Sequence, residues 1–100
     1  MNEGQNVIVK AVVHSVEKAN PTLKSLLELH LKNTTGGQGG FELAYNDPKR
    51  FKEAVSKLFG EYSARLLEML IISYFREKAG LMEEVNTLEE LVEYIQRVYR

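Results

Sequence analysis

Residues 47–78 decide the fold class of this 100-residue chain, because they read as two consecutive helices with clear ends. The stretch is DPKRFKEAVSKLFGEYSARLLEMLIISYFREK. Asp47 is a favourable N-cap, and Pro48 suits the first helical position, where no amide hydrogen is needed. Gly60 ends this helix, and a longer helix is expected over 61–78. The stretch therefore predicts two adjacent helices separated by a glycine.

The second of these helices is apolar on most of its circumference, unlike an ordinary surface helix. Its apolar side chains are Leu66, Leu67, Met69, Leu70, Ile71, Ile72, Tyr74 and Phe75. The run is about half as long as the ~20 residues that span a bilayer, so we expect no membrane segment. The helix is either the central helix of the core, or part of its surface is covered by a second subunit.

The last part of the chain predicts a further helix that begins with a capping box. Thr87 and Glu90 hold the two positions of the box, where a hydroxyl and a carboxylate accept hydrogen bonds from free amide groups. The apolar residues that follow are Leu88, Leu91, Val92, Ile95, Val98 and Tyr99. Their intervals of three and four residues predict one apolar helical face.

Two more helices are expected before the middle of the chain. Asn20 and Pro21 repeat the combination of cap and proline, which predicts a helix over 21–32. The segment 6–16 is rich in β-branched valine, a residue type that favours strands. Several of its apolar positions repeat every four residues, however, so we prefer a helix there.

The segment 41–45 holds the main alternative for the fold. It alternates apolar and polar residues like a short strand, and it could form a hairpin with residues 6–13. Before it, residues 33–40 contain four glycines and predict a flexible connector. We predict one all-α domain over residues 1–100, a compact bundle of about five helices, with an α+β fold containing this hairpin as the alternative.

Composition argues against several classes of protein. Hydrophobic residues make up 44% and charged residues 27%, which is typical of a globular domain. Cysteine is absent, which excludes disulfides, thiolate metal sites and a cysteine nucleophile. A net charge of −1 is too small to attract nucleic acid or a membrane through bulk electrostatics. The first residues lack the pattern of a secretory signal, so we expect a cytoplasmic protein.

No motif for catalysis or for a cofactor stands out in the sequence. The glycines of 33–40 match neither a P-loop nor a dinucleotide-binding loop. His14 and His30 lie in different predicted elements, and only distant carboxylates could complete a metal site with them. A metal-dependent hydrolase built on these histidines is the enzyme hypothesis that we keep for testing. We expect a non-enzymatic protein with no metal and no cofactor.

Basic residues and tyrosines provide two candidate contact surfaces. The basic residues are Lys49, Arg50, Lys52 and Lys57. With Gly60 as a turn, this region looks like a helix-turn-helix, but the helix that follows is too apolar to contact base edges. The aromatic candidates for a protein contact are Tyr62, Tyr94 and Tyr99. We therefore favour an unidentified protein partner, or a homodimer, over nucleic acid.

A set of residues across the middle third of the chain is similar to a known family. They are Asp47-Pro48, Phe51, Ala54, Leu58-Phe59-Gly60, Leu66-Leu67-Glu68 and Ile71-Ile72. The set resembles small archaeal helical domains of the Nitrosopumilus output domain group. Members occur alone or attached to signalling proteins, so the resemblance implies a regulatory or sensory output role without catalytic residues. The resulting prediction is an interaction or signalling module, with a nucleic-acid-binding regulator that uses residues 49–57 as the alternative.

Overall fold

The computed structural model describes residues 3–37, 39–81 and 83–99, and within these ranges it contains six helices and no strand. The helices are α1 (Glu3–Ala19), α2 (Pro21–Thr34), α3 (Leu43–Asn46), α4 (Pro48–Phe59), α5 (Glu61–Lys78) and α6 (Leu88–Val98). The all-α prediction is confirmed. The alternative hairpin is wrong, because residues 6–13 lie inside α1 and α3 covers most of 41–45.

The sixth helix, α3, is the element that the sequence did not predict. Phe41, Leu43 and Ala44 are all buried, which an alternating strand does not require of neighbouring residues. The amide of Asp47 donates to the carbonyl of Leu43, so this single helical turn ends where α4 begins. The turn places its apolar side chains in the same core as those of the longer helices.

Side-chain caps begin α2 and α4 as the sequence predicts. The Oδ1 of Asn20 accepts a hydrogen bond from the Thr22 amide at 3.0 Å. The Oδ1 of Asp47 accepts one from the Arg50 amide at 3.2 Å. Each carboxyl or carboxamide oxygen satisfies an amide that has no partner within its own helix.

The capping box of α6 is present with one difference. The Oγ1 of Thr87 accepts a hydrogen bond from the Glu90 amide at 3.1 Å, as expected. The Glu90 carboxylate accepts from the amide of Asn86 at 2.9 Å, one residue before the cap. The side chain of Glu90 therefore holds the chain that leads into the helix.

Helices α1, α4 and α5 form the centre of the bundle, since α1 and α4 each contact α2, α3 and α6, and the three helices also contact one another through α5. The largest fully buried side chains include Ile8, Leu27, Leu31, Phe51, Ile71, Phe75, Leu88, Leu91 and Ile95. One side of α5 stays open to solvent, so its coverage by a second subunit, the other alternative for this helix, stays a prediction. Within the described ranges, no helix combines the length and apolarity needed to cross a bilayer.

The N-terminal end of α1 lies close to α3 and α6 because residue 4 is glycine. Gly4 is buried, and a Cβ atom placed on it would lie 2.9 Å from the Cγ2 of Ile95. The same atom would lie 3.2 Å from the hydroxyl oxygen of Tyr45. A side chain at this position therefore requires its neighbours to move.

Hydrogen bonds fix the end of the glycine-rich connector. The Oγ1 of Thr35 accepts from the amide of Gly39 at 2.9 Å, and the Oε1 of Glu42 accepts from the amide of Gly40 at 2.9 Å. Gln38 lies outside the described residues. Residues 33 and 34 of the predicted connector belong to α2, and its last residues are bonded to Thr35 within it and to Glu42 after it; its flexibility stays a prediction.

His30 joins α2 to α4. Its Nε2 lies 2.9 Å from the carbonyl oxygen of Ala54, so this nitrogen carries the proton and donates it across the two helices. The ring is partly buried, which limits competition from water for this hydrogen bond. The histidine therefore has a structural role in the bundle.

Replacing His30 with Ala is expected to lower the free energy of unfolding by about 1–2 kcal/mol, because the bond to Ala54 and the packing of the ring are both lost. Urea denaturation followed by circular dichroism measures the change. Lys32→Ala, at an exposed position of the same helix, is the control and should stay within about 0.5 kcal/mol of the wild type. Equal stability of the two variants would contradict the role assigned to His30.

Candidate functional site

An apolar groove of about 170 Å³ opens between α1, α2, α4 and α5. Its walls include Val16 and Ala19 from α1, Leu23 from α2, Phe59 from α4, and Leu66 and Leu70 from α5. Ser63 is the polar side chain among the residues that line it. Water gains few hydrogen bonds in such a groove, so apolar groups of another molecule can displace it favourably.

One side of α5 beside this groove exposes large apolar side chains. Tyr62, Leu66 and Met69 are 84%, 51% and 48% exposed, respectively. Intervals of four and three residues place them on the same side of the helix. We call these three residues the α5 face. Single exposed apolar side chains are common, but a group of them beside a groove is typical of a contact surface.

Beyond the two ends of the α5 face, α5 carries charged residues of opposite sign, although Glu61 lies about a quarter turn to the side of the face and lines a depression with Arg65 and Glu68. Glu61 lies in the first turn of α5 and Arg76 in the last. Neither forms an ion pair within the described part of the chain. Both charges are therefore free to pair with a second molecule, Arg76 from the side of the face and Glu61 from beside it.

A smaller, polar depression of about 90 Å³ lies further along the same two helices, α1 and α5. Its lining residues are His14, Ser15, Lys18, Leu70, Ser73, Tyr74 and Glu77. The His14 and Tyr74 rings contact each other, with centroids 4.7 Å apart and planes tilted by 42°. Leu70 also lines the apolar groove, so the two cavities are neighbours.

Glu68 lies at the centre of an ion cluster that joins α4, α5 and α6, although it is only 4% exposed. Its Oε2 accepts hydrogen bonds from the Leu88 amide at 2.7 Å and from the Lys52 ammonium at 3.0 Å. Its Oε1 accepts from the Arg65 guanidinium at 2.8 Å. Lys52 also forms an ion pair with Glu89 at 2.6 Å. A carboxylate on α5 thus satisfies the first amide of α6.

These contacts set the protonation of the cluster. Burial by itself would raise the pKa of Glu68, but the hydrogen bonds from Leu88, Arg65 and Lys52 outweigh it and hold the pKa below its ordinary value. Burial would lower the pKa of Lys52, but hydrogen bonds to Glu89 and Glu68 outweigh it and raise the pKa. Both side chains are therefore charged at neutral pH.

The structure separates the four basic residues that the sequence grouped together. Lys52 is held in the ion cluster, on the side of α4 that faces α5 and α6. The Nη2 of Arg50 donates to the carbonyl oxygen of Thr34 at 3.0 Å. Lys49 and Lys57 are exposed and form no ion pair among the described residues. Two of the four cations are thus already engaged within the chain.

The three candidate tyrosines also lie in different surroundings. Tyr62 belongs to the α5 face. Tyr94 and Tyr99 are partly buried against the core, and the Arg97 guanidinium lies 5.9 Å from the centre of the Tyr94 ring. Of the three, Tyr62 is the one that a partner could cover without displacing packed side chains.

The two histidines are not brought together. His14 lines the polar depression, whereas His30 is bonded to Ala54 between α2 and α4. Across the described ranges, no group of three or more histidine, aspartate or glutamate side chains has the arrangement of a metal site.

Apart from His14, the polar residues of this depression carry no sequence motif that marks them as a site. Ser15 and Lys18 lie one turn apart on α1, and Ser73 and Glu77 lie one turn apart on α5. These spacings are visible in the sequence and place each pair on one side of its helix. Which side of α1 faces which side of α5 is set by tertiary packing, so no local signal could have joined the two pairs.

The chain matches the family described as Nitrosopumilus output domain 5 over residues 2–97. It is also similar to the crystal structure of PH0832 from Pyrococcus horikoshii OT3. The two chains are 50% identical in sequence, the match covers 97% of this chain and 98% of the other, and the TM-score is 0.86. A search of curated proteins gave no match.

Proposed function

The chain belongs to the Nitrosopumilus output domain 5 family, and we propose that it is a non-enzymatic protein-interaction module that binds through its α5 face. The observation that carries the proposal is the exposed apolar stripe beside an apolar groove. Fully burying an exposed Leu or Met side chain contributes about 1.5–3 kcal/mol, so a partner that covers the half-exposed Leu66 and Met69 gains about half of this at each, and it also covers Tyr62. The proposal includes a cytoplasmic location, which cell fractionation tests.

The occupant that we propose for the α5 face is a second copy of the chain. If two α5 helices pack antiparallel around Met69, the first turn of each helix, which carries Glu61, lies near the last turn of the other, which carries Arg76. In a parallel arrangement, glutamate would meet glutamate and arginine would meet arginine. The dipoles of two antiparallel helices also attract each other. The charge pattern therefore favours an antiparallel homodimer with a two-fold axis.

The nucleic-acid alternative has weaker support. Lys52 and Arg50 already bind carboxylate and carbonyl oxygens of this chain, and releasing them for phosphate contacts would break those bonds. Glu53 also lies between Lys49 and Lys57 on the exposed side of α4. A partner with negative charges would therefore meet few free cations on this helix.

A double variant of the α5 face tests the proposal. We expect the wild-type protein to sediment as a dimer at micromolar concentration, and Leu66→Glu/Met69→Glu to be monomeric, with dimer affinity lower by at least about 100-fold. Both side chains are half exposed, so the variant should stay folded by circular dichroism. The control is Leu29→Glu on α2, where the leucine is 58% exposed and does not line the groove.

Charge reversal tests the antiparallel arrangement separately. Glu61→Arg and Arg76→Glu should each weaken the dimer by about five- to tenfold, because each places like charges together twice in the dimer. The double variant restores the opposite pairing and should recover most of the affinity. A dimer that shows no such recovery is not antiparallel, and a monomeric wild type at concentrations near 1 mM would reject self-association altogether.

A further inference from the structure

We propose that the polar depression between α1 and α5 binds a small zwitterion of the α-amino acid type. His14, Ser15 and Lys18 line it from α1, and Ser73, Tyr74 and Glu77 line it from α5. The depression lies further along α5 than the α5 face, and only the apolar groove beside it is lined by a residue of that face, Leu66. The proposal does not rest on the proposed dimer. It rests on three observations: an unsatisfied buried hydroxyl, uncommitted polar groups, and one charge of each sign.

The first observation is the state of Ser15. Its side chain is 2% exposed, and its Oγ has no hydrogen-bond partner among the described residues. A buried hydroxyl without a partner is unfavourable, because the hydrogen bonds that it makes to water in the unfolded chain are not replaced. Ser15 lines the depression, so a polar atom bound there can supply the missing bond.

The second observation is that the other polar groups around the depression are free. Within the described part of the chain, Lys18, Ser73, Tyr74 and Glu77 make no side-chain hydrogen bond and no ion pair. In the Glu68 cluster, by contrast, the charged groups bind one another. The depression therefore presents donors and acceptors that are not satisfied by the protein itself.

The third observation is the balance of charge. Lys18 lies on one wall and Glu77 on the other. An anion would be attracted by Lys18 and repelled by Glu77, whereas a cation would be repelled by Lys18 and attracted by Glu77. A molecule with both charges places its carboxylate near Lys18 and its ammonium near Glu77, so it gains from both walls.

The size of the cavities restricts the ligand further. A volume of about 90 Å³ equals the space of roughly three water molecules, which suits the charged part of one amino acid. Leu70 separates this depression from the apolar groove of about 170 Å³. An apolar side chain of the ligand can extend past Leu70 into that groove, so the structure favours leucine over glycine.

Titration of the isotope-labelled protein by NMR tests the site, with glycine, L-alanine and L-leucine as probes. We expect saturable shifts at the lining residues, and a dissociation constant about tenfold lower for leucine than for glycine. Acetate and methylammonium, which carry one charge each, should bind at least about tenfold more weakly than leucine. No saturable shift with leucine up to about 50 mM, or an equal response to acetate, would overturn the proposal.

Single substitutions test whether these side chains bind the ligand or only stabilise the fold. Lys18→Gln and Glu77→Gln should each weaken leucine binding about tenfold, whereas Lys10→Gln, at an exposed position of α1, should leave it unchanged. Ser15→Ala should raise the Tm of the free protein by roughly 4 °C, because it removes the unsatisfied hydroxyl, and should also weaken leucine binding. A lower Tm with unchanged binding would reject the assigned role of Ser15.

Discussion

Replacing Glu68 with Ala is expected to lower the free energy of unfolding by about 3 kcal/mol, the low end of the range for breaking a buried ion pair. The carboxylate accepts hydrogen bonds from Lys52, Arg65 and the Leu88 amide, and its removal leaves that amide without a partner. The expected loss lies at the low end of that range because Lys52 and Arg65 are partly exposed, so water solvates their charges once the carboxylate is removed. Urea denaturation near pH 7 measures the loss.

Two further variants make this prediction specific. Glu68→Gln keeps an acceptor for the Leu88 amide but loses the charge, so its effect should be about half as large. Glu93→Ala changes an exposed glutamate of α6 that forms no ion pair among the described residues, and should stay within about 0.5 kcal/mol. If Glu93→Ala were as destabilising as Glu68→Ala, the cluster would have no special role.

The contribution of Glu68 should also depend on pH. Its pKa in the folded protein lies below the ordinary value of 4.5, so the ionised form stabilises the fold. This stability is fully present above the ordinary pKa and is lost as the pH falls through the folded-state pKa. The difference in stability between the wild type and Glu68→Gln should therefore be constant at neutral pH and shrink below about pH 4.5. A difference that is unchanged near pH 3 would contradict the assignment.

The second large effect is expected at the start of α1. Gly4→Leu should lower the free energy of unfolding by about 2–3 kcal/mol, because the new side chain meets Ile95 and Tyr45 in a packed region. The first turn of α1 can unwind to avoid the clash, but it then loses these same contacts. Urea denaturation measures the change.

Two controls separate crowding from a general effect of substitution. Asn6→Leu places the same side chain at an exposed position of α1 and should stay within about 0.5 kcal/mol of the wild type. Gly4→Ala should lose less than Gly4→Leu, since alanine favours the helix by about 1 kcal/mol over glycine and offsets part of the crowding. A Gly4→Leu protein as stable as the wild type would show that the end of α1 adapts freely.

The starts of three helices could be predicted because capping residues stand there. Asn20 and Asp47 are each followed by proline, and Thr87 begins a capping box, so local sequence determines where α2, α4 and α6 start. The helix over 6–16 was ambiguous, because valine favours strands whereas the spacing favours a helix. One-turn helices such as α3 are too short to show a helical repeat, and the alternation in 41–45 suggested a strand instead.

The candidate sites depend on information that is not local. The apolarity of α5 indicates either a central core helix or a surface shared with a second molecule, but the exposure of Leu66 and Met69 depends on where α1, α2 and α4 lie. The basic residues of α4 looked like one surface, yet Lys52 faces α5 and α6 and finds Glu68 there. The hydrogen bond from the Leu88 amide to the Glu68 carboxylate joins residues on different helices, so it depends on the folded chain and not on local sequence.

The contact between Gly4 and Ile95 has a consequence for the order of folding. It joins segments separated by almost the whole chain, and its formation encloses α2, α3, α4 and α5 in one loop. Contacts between distant segments carry the largest entropic cost of closure, so they form late. During synthesis, α1 leaves the ribosome before α6 and cannot complete its packing until Ile95 has emerged. We therefore expect α6 to dock last, and nascent chains that lack it to leave the N-terminal end of α1 uncovered.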